Sequence, residues 1–76
     1  SMGELELDPH NLPNGDLAYQ TLLKIRAFDG FPGTFFIHEG KRIKITEAQL
    51  VEGTLHIDRI IPEGKQEMDF ETYFSR

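Results

Sequence analysis

Residues 41–51, KRIKITEAQLV, alternate polar and apolar side chains, as expected for a strand with one buried face. The stretch also contains β-branched residues, which favour extended structure. A Glu-Gly pair lies at each end, Glu39-Gly40 and Glu52-Gly53, and a glycine between two alternating runs indicates a hairpin turn. The sequence therefore predicts a three-stranded antiparallel meander formed by residues 34–39, 41–51 and 54–61.

The central strand is predicted to contain a β-bulge at Thr46-Glu47. Ile43 and Ile45 are odd-numbered whereas Ala48 and Leu50 are even-numbered, so a regular strand would point the two pairs to opposite faces. One extra residue brings both pairs onto one face. The resulting register pairs Leu50 with Leu55, Ala48 with Ile57, Ile45 with Arg59, and Ile43 with both Ile61 and Phe36.

An amphipathic helix is predicted before the meander. Asp16 is a suitable N-cap, and the helix should continue to about Phe28 with an apolar stripe that packs on the sheet. The stripe consists of Ala18, Leu22 and Ile25, flanked by Tyr19 and Leu23. Asp29-Gly30 should close the helix, and residues 31–33 should turn the chain into the first strand.

Two shorter elements are predicted at the ends of the chain. Residues 4–8, ELELD, alternate and should form a short strand that protects an open sheet edge. Asp69 is an N-cap candidate for a short terminal helix, with Met68 and Tyr73 placed as a hydrophobic staple. The aromatic residues of that helix, Phe70, Tyr73 and Phe74, should close one end of the core. The predicted fold class is α+β, mainly β.

Three basic side chains on the strands have predicted environments. Arg59 falls on the apolar face, where a position at the rim of the core avoids the cost of burying its charge. Arg42 and Lys44 face away from the core, across from Ile37 and Phe35. Basic residues beside an exposed aromatic ring are typical of RNA-stacking surfaces, but Phe35 and Ile37 can also form a second small core under the helix.

The charge of the chain is unevenly distributed. The formal net charge is −5, which is unfavourable for nucleic-acid binding. Residues 24–44, however, contain five basic and two acidic residues, whereas the rest of the chain contains three basic and eleven acidic ones. Such a run is either an ordinary solvated face or a local basic surface.

No catalytic or metal site is predicted. His10, His38 and His56 fall in separate parts of the predicted fold, so they should not converge as zinc ligands do. The chain has no cysteine, which fits a reducing compartment, and neither a membrane span nor a signal peptide is visible. Residues 1–3 are expected to be a cloning remnant or linker, which leaves one domain at residues 4–76.

Five short motifs follow one another in a characteristic order. They are GELELD at residues 3–8, IRAF at 25–28, FPGTFF at 31–36, GKRIKI at 40–45 and PEGK at 62–65, followed by Met68 and Phe74. This order resembles the C-terminal domain of methionyl-tRNA formyltransferase and its superfamily. The resemblance implies an OB-like barrel, shortened here to an open sheet because strands between the motifs at 40–45 and 62–65 are missing.

The resemblance also implies a non-catalytic accessory role. A catalytic Rossmann-like domain would precede this one in the same cytoplasmic polypeptide and bind 10-formyltetrahydrofolate. Its Asn, His and Asp catalytic residues are absent, and HNLP at residues 10–13 lacks the flanking residues of the family's active-site motif. The domain would help to hold initiator tRNA through the matching basic residues Arg26, Lys41, Arg42, Lys44 and Lys65.

Two alternatives remain at this point. The acidic composition favours a sugar-nucleotide N-formyltransferase, in which this domain would be a packing module or would form a homodimer through a sheet edge. The other alternative is a free-standing β-rich interaction module. The sequence upstream of residue 1 would separate these alternatives.

Overall fold

The computed structural model describes residues 3–28 and 33–75. The elements in chain order are helix α1 (Gly15–Ala27), strands β1 (Thr34–His38), β2 (Lys41–Val51), β3 (Thr54–Pro62) and β4 (Met68–Asp69), and helix α2 (Phe70–Phe74). The strands form one open antiparallel sheet in sequence order. The predicted α+β, mainly β fold with a helix at each end is confirmed, and β4 adds two residues to the predicted meander.

Both hairpin turns have the backbone conformation that matches the twist of the flanking strands. Glu39 and Gly40 have φ angles of 51° and 78°, and Glu52 and Gly53 have φ angles of 50° and 80°. Positive φ at both central residues is the mark of a type I′ turn. The glutamate in each turn therefore occupies a left-handed conformation that costs a non-glycine residue free energy.

We expect Glu52→Asn to raise the free energy of unfolding by about 0.5–1 kcal/mol, because Asn tolerates the left-handed conformation better than Glu. Urea unfolding followed by circular dichroism would measure the change. Glu6→Asn is the matched control, since it removes the same charge from an exposed site outside the turns. Equal stabilisation of both variants would assign the effect to charge and contradict the turn argument.

The irregularity between β2 and β3 lies where the sequence predicts the bulge, but both strands contribute to it. Thr46 of β2 and Asp58 of β3 have no partner in the ladder, and Glu47 pairs with Arg59. The pairs on the turn side and across the first hairpin are as predicted: Leu50 with Leu55, Ala48 with Ile57, and Phe36 with Ile43.

Beyond the irregularity, the predicted register is wrong by one residue. Ile45 pairs with Ile60 instead of Arg59, and Ile43 pairs with Pro62 instead of Ile61. The spare residue in β3 changes the inward-pointing positions from odd to even numbers. Ile60 is therefore fully buried, while Arg59 leaves the apolar face.

Helix α1 begins earlier than predicted. Asn14, not Asp16, occupies the N-cap position, and Asp16 lies in the first helical turn. The reason is that the chain pairs with β3 just before the helix, through a bridge between Asn14 and Thr54 and a hydrogen bond from Leu55 N–H to Pro13 O. The predicted helix end at Asp29-Gly30 and the turn at residues 31 and 32 lie outside the described residues.

The segment before α1, which we call the leader (residues 3–14), runs along β1 without forming a strand of its own. Leu5 N–H donates to Phe35 O over 2.8 Å, and Phe35 N–H donates to Gly3 O over 2.9 Å. These bonds and the bridge between Glu4 and Phe35 cover part of the sheet edge that the predicted strand at residues 4–8 was expected to protect. Gly3, assigned to the remnant at residues 1–3, is thus part of the packed structure.

The core lies between α1, the inner face of the sheet and the leader. Its buried residues are Leu5, Ala18, Leu22, Ile25, Phe36, Ile43, Ile45, Leu55, Ile57 and Ile60. Aromatic residues of α2 pack against it at one end, as predicted. Within the described residues, no helix has the length and apolar character needed to cross a membrane.

Candidate functional site

The strongest candidate site is a pair of cations on the outer face of β2. Arg42 and Lys44 pair with Ile37 and Phe35 of β1, as predicted. The guanidinium carbon of Arg42 lies 4.1 Å from the centroid of the Phe35 ring, which is a cation–π contact. We use the name basic face for the surface formed by Arg42, Lys44 and the Phe35 ring that Arg42 contacts.

Phe35 fits neither of its two predicted environments. Its side chain is buried, so it is not an exposed aromatic ring. It is also not under α1, because α1 packs on the opposite face with residues such as Leu22. Arg42 and the leader around Gly3 contact it instead. The basic face therefore offers cations and no free ring, a chemistry suited to phosphate groups more than to stacked bases.

The other three predicted basic residues, Lys41, Lys65 and Arg26, lie in different places relative to the basic face. Lys41 is exposed at the start of β2, and the alternation of the strand puts it on the opposite face from Arg42 and Lys44. The turn that carries Lys65 contacts the backbone of Arg42. The backbone N–H of Glu63 donates to the carbonyl oxygen of Arg42, and the Glu63 carboxylate accepts from the backbone N–H of Arg42. Arg26 is exposed on the last turn of α1, on the other side of the sheet. The structure thus places two of the five cations, Arg42 and Lys44, together on one face of the sheet.

Arg59 has a structural role that the sequence did not predict. Its guanidinium donates to Asp69 over 2.6 Å and to Glu67 over 3.0 Å. These hydrogen bonds, the one to Asp69 first, raise the pKa of Arg59 above its ordinary value. Arg59 therefore fastens β4 to β3. Asp69 holds the predicted N-cap position of α2, but its carboxylate makes no capping hydrogen bond.

The prediction that the histidines lie apart is wrong for one pair. The leader folds back so that the His10 ring lies 6.0 Å from the His38 ring, centroid to centroid. Phe74 of α2 contacts both rings edge-on, at 5.9 Å and 5.1 Å. His56 is separate and lies 3.3 Å from Asp58. Among residues 3–28 and 33–75, no three histidines or carboxylates are arranged to hold a metal ion.

A comparison with protein families gives this geometry a context. Residues 16–54 match the family described as formyl transferase, C-terminal domain. The chain belongs to this family. No curated protein and no solved structure matches the chain significantly.

The matched segment of this formyl transferase C-terminal domain contains the basic face. It spans nearly all of α1, the whole of β1 and β2, and ends at the first residue of β3. Arg26, Lys41, Arg42 and Lys44 lie inside it, whereas Lys65 lies outside. The family therefore covers the strand pair on which the candidate site is built.

Two features of this formyl transferase C-terminal domain were missed from the sequence. The burial of Phe35 depends on the leader. The leader is remote from β1 in the sequence, and no turn signal fixes its path. The contact of Arg59 with Glu67 and Asp69 did have a signal in the sequence. The two acidic residues are two positions apart, which is the spacing of side chains on one face of an extended chain.

Proposed function

We propose that this chain is the non-catalytic accessory domain of a methionyl-tRNA formyltransferase-like enzyme. A catalytic domain in the same cytoplasmic polypeptide would transfer the formyl group from 10-formyltetrahydrofolate to the amino group of initiator methionyl-tRNA. This chain would hold the tRNA backbone. The observation that carries the proposal is the basic face, which lies within the segment that matches the family.

The geometry of the basic face suits phosphate binding. Arg42 and Lys44 are two residues apart on one strand, which puts their Cα atoms about 7 Å apart on the same face. The contact with Phe35 holds the guanidinium carbon of Arg42 over the ring, and guanidinium N–H groups are the donors that bind phosphate oxygens. Lys41 precedes Arg42 in β2, Lys65 belongs to the turn whose Glu63 bonds to Arg42, and Arg26 belongs to the family match on the other side of the domain.

We expect Arg42→Glu/Lys44→Glu to weaken the binding of initiator tRNA to the intact enzyme by about 100-fold at about 0.1 M salt, because each lost phosphate contact forgoes about tenfold from counterion release. The slope of log affinity against log salt should fall by about two. Fluorescence anisotropy of labelled tRNA over a salt series would measure both quantities.

The matched control compares two single charge reversals. Lys44→Glu and Lys24→Glu change the net charge equally, but Lys24 is an exposed residue of α1 and lies on the opposite side of the sheet. The proposal requires a weaker affinity for Lys44→Glu and little change for Lys24→Glu. Equal affinity and equal salt slope for the double variant and the wild type would remove the RNA role.

That negative result would favour the second candidate function. The net charge of −5 supports a sugar-nucleotide N-formyltransferase, whose accessory domain has no RNA to bind. In that case the domain is a packing module or forms a homodimer. The edge of the sheet available for pairing is short, because the leader covers part of β1.

A further inference from the structure

The exposed large apolar side chains of the domain are concentrated beside the leader. Among the described residues they are Leu17 (65% exposed), Tyr19 (55%), Leu23 (47%), Ile37 (46%) and Val51 (47%). The three on α1 line an open groove of about 890 Å³ between the helix and residues 4–7. Ile37 lines a second groove on the other side of residues 4–8. Val51, next to the β2–β3 turn, lines neither of these two grooves beside residues 4–8.

The start of the leader has a fixed position within this apolar surface. Its hydrogen bonds to both backbone groups of Phe35 hold Gly3 and Leu5 against β1. The Leu5 side chain is buried in the core, so the segment cannot slide along the strand. The point at which a preceding domain would join the chain is therefore fixed beside the grooves that Leu17, Tyr19, Leu23 and Ile37 line.

We propose that the catalytic domain of the same polypeptide packs across the leader onto Leu17, Tyr19, Leu23 and Ile37. This inference rests on the proposed function, which places such a domain ahead of Gly3. Four side chains make a small contact, but a covalent connection through a short linker would supply an effective concentration of about millimolar, at which a weak contact is sufficient. The clustering of exposed apolar groups at the entry point of the chain is the feature that selects this partner.

The charges around the surface define the partner further. Glu4 and Glu6 line both grooves and Asp8 lines the second, whereas Lys24 is the one basic residue in the lining of the first. The facing surface of the catalytic domain should therefore be apolar at its centre and basic at its rim. Ile37 pairs with Arg42, so a domain seated there adjoins the basic face. Docking would thus bring the tRNA-binding cations next to the catalytic domain.

Hydroxyl-radical footprinting tests the contact directly, because it reports the solvent exposure of individual side chains. The intact polypeptide and the isolated 76-residue chain would be oxidised in parallel. Because side chains at the centre of an interface are buried as in a protein interior, oxidation of Tyr19 and Leu23 should fall about threefold or more in the intact polypeptide. Val51 is the internal control and should be oxidised equally in both.

A variant pair completes the test. Tyr19→Ser/Leu23→Ser should restore rapid oxidation of Leu17 in the intact polypeptide, whereas Val51→Ser should not. Both variants change half-exposed side chains, so the isolated chain should keep its circular dichroism spectrum. Equal oxidation of Tyr19 and Leu23 in the two proteins would overturn the docking proposal. The footprint needs no RNA, so failure of docking is distinguishable from loss of tRNA binding at Arg42 and Lys44.

Discussion

Replacing Ile60 with alanine should lower the free energy of unfolding by about 3–4 kcal/mol, whereas the same change at Ile61 should cost about 1 kcal/mol. Ile60 is fully buried in the core opposite Ile45, while Ile61 is only partly buried. Truncation of Ile60 leaves a cavity that the tightly packed sheet and helix cannot fill. The two residues are neighbours of identical chemistry, so each is the control for the other.

Urea unfolding monitored by circular dichroism would measure both changes. A domain of 76 residues has a total stability of about 4–11 kcal/mol, so the Ile60 variant should unfold at a far lower urea concentration. The experiment also decides the register of β3. A larger cost at Ile61 than at Ile60 would mean that β3 follows the register without a spare residue at Asp58.

Phe36→Ala should be at least as damaging, with an expected loss of about 3–5 kcal/mol. Phe36 is fully buried and connects the sheet to the terminal helix through Phe74, whose ring centroid lies 6.1 Å away. The variant therefore loses core volume and an aromatic contact together. Ile37→Ala, on the same strand but 46% exposed, is the control and should stay within about 0.5 kcal/mol of the wild type.

The contribution of the terminal helix can be separated with a double-mutant cycle. Phe36→Ala and Phe74→Ala, alone and together, give the coupling energy of the two rings, which we expect at about 0.5–1.5 kcal/mol. Urea unfolding of the four proteins supplies the values. Strict additivity would show that α2 packs on the core without relying on Phe36, contrary to the ring geometry.

The sheet was largely predictable because its signals are local. Alternation along β2 set the faces, the two Glu-Gly pairs set the hairpins, and the change of phase between Ile45 and Ala48 located the irregularity. The second spare residue, Asp58, was not predictable in this way. Apolar residues occur at positions 57, 60 and 61, so the sequence of β3 is compatible with either register.

Long-range contacts decide between those registers. With Asp58 unpaired, Ile60 enters the core and Arg59 reaches the carboxylates of Glu67 and Asp69. The other register would place the Arg59 guanidinium on the apolar face without these carboxylates, and burying an unpaired charge is costly. These carboxylates arrive with β4, an element too short to be recognised from alternation.

In the candidate site, too, the features set by local alternation were predictable and those set by long-range contacts were not. The outward direction of Arg42 and Lys44 followed from the alternation of β2 and is confirmed by the register. The burial of Phe35 depends on residues 3–5 folding back onto β1, and the contact between His10 and His38 depends on the same segment and on α2. Neither has a signal in the neighbouring sequence.

The leader has one more consequence, for the order in which the domain assembles and loosens. Every pair of neighbouring strands is joined by a short connection, and such nearby contacts form quickly. Attachment of the leader to β1 and β3 instead closes long loops, which costs conformational entropy, and it gains a few hydrogen bonds at the periphery. Structures open first where such bonds are few and peripheral. The leader can therefore open before the strands of the sheet separate, and its opening withdraws the Leu5 side chain from the core.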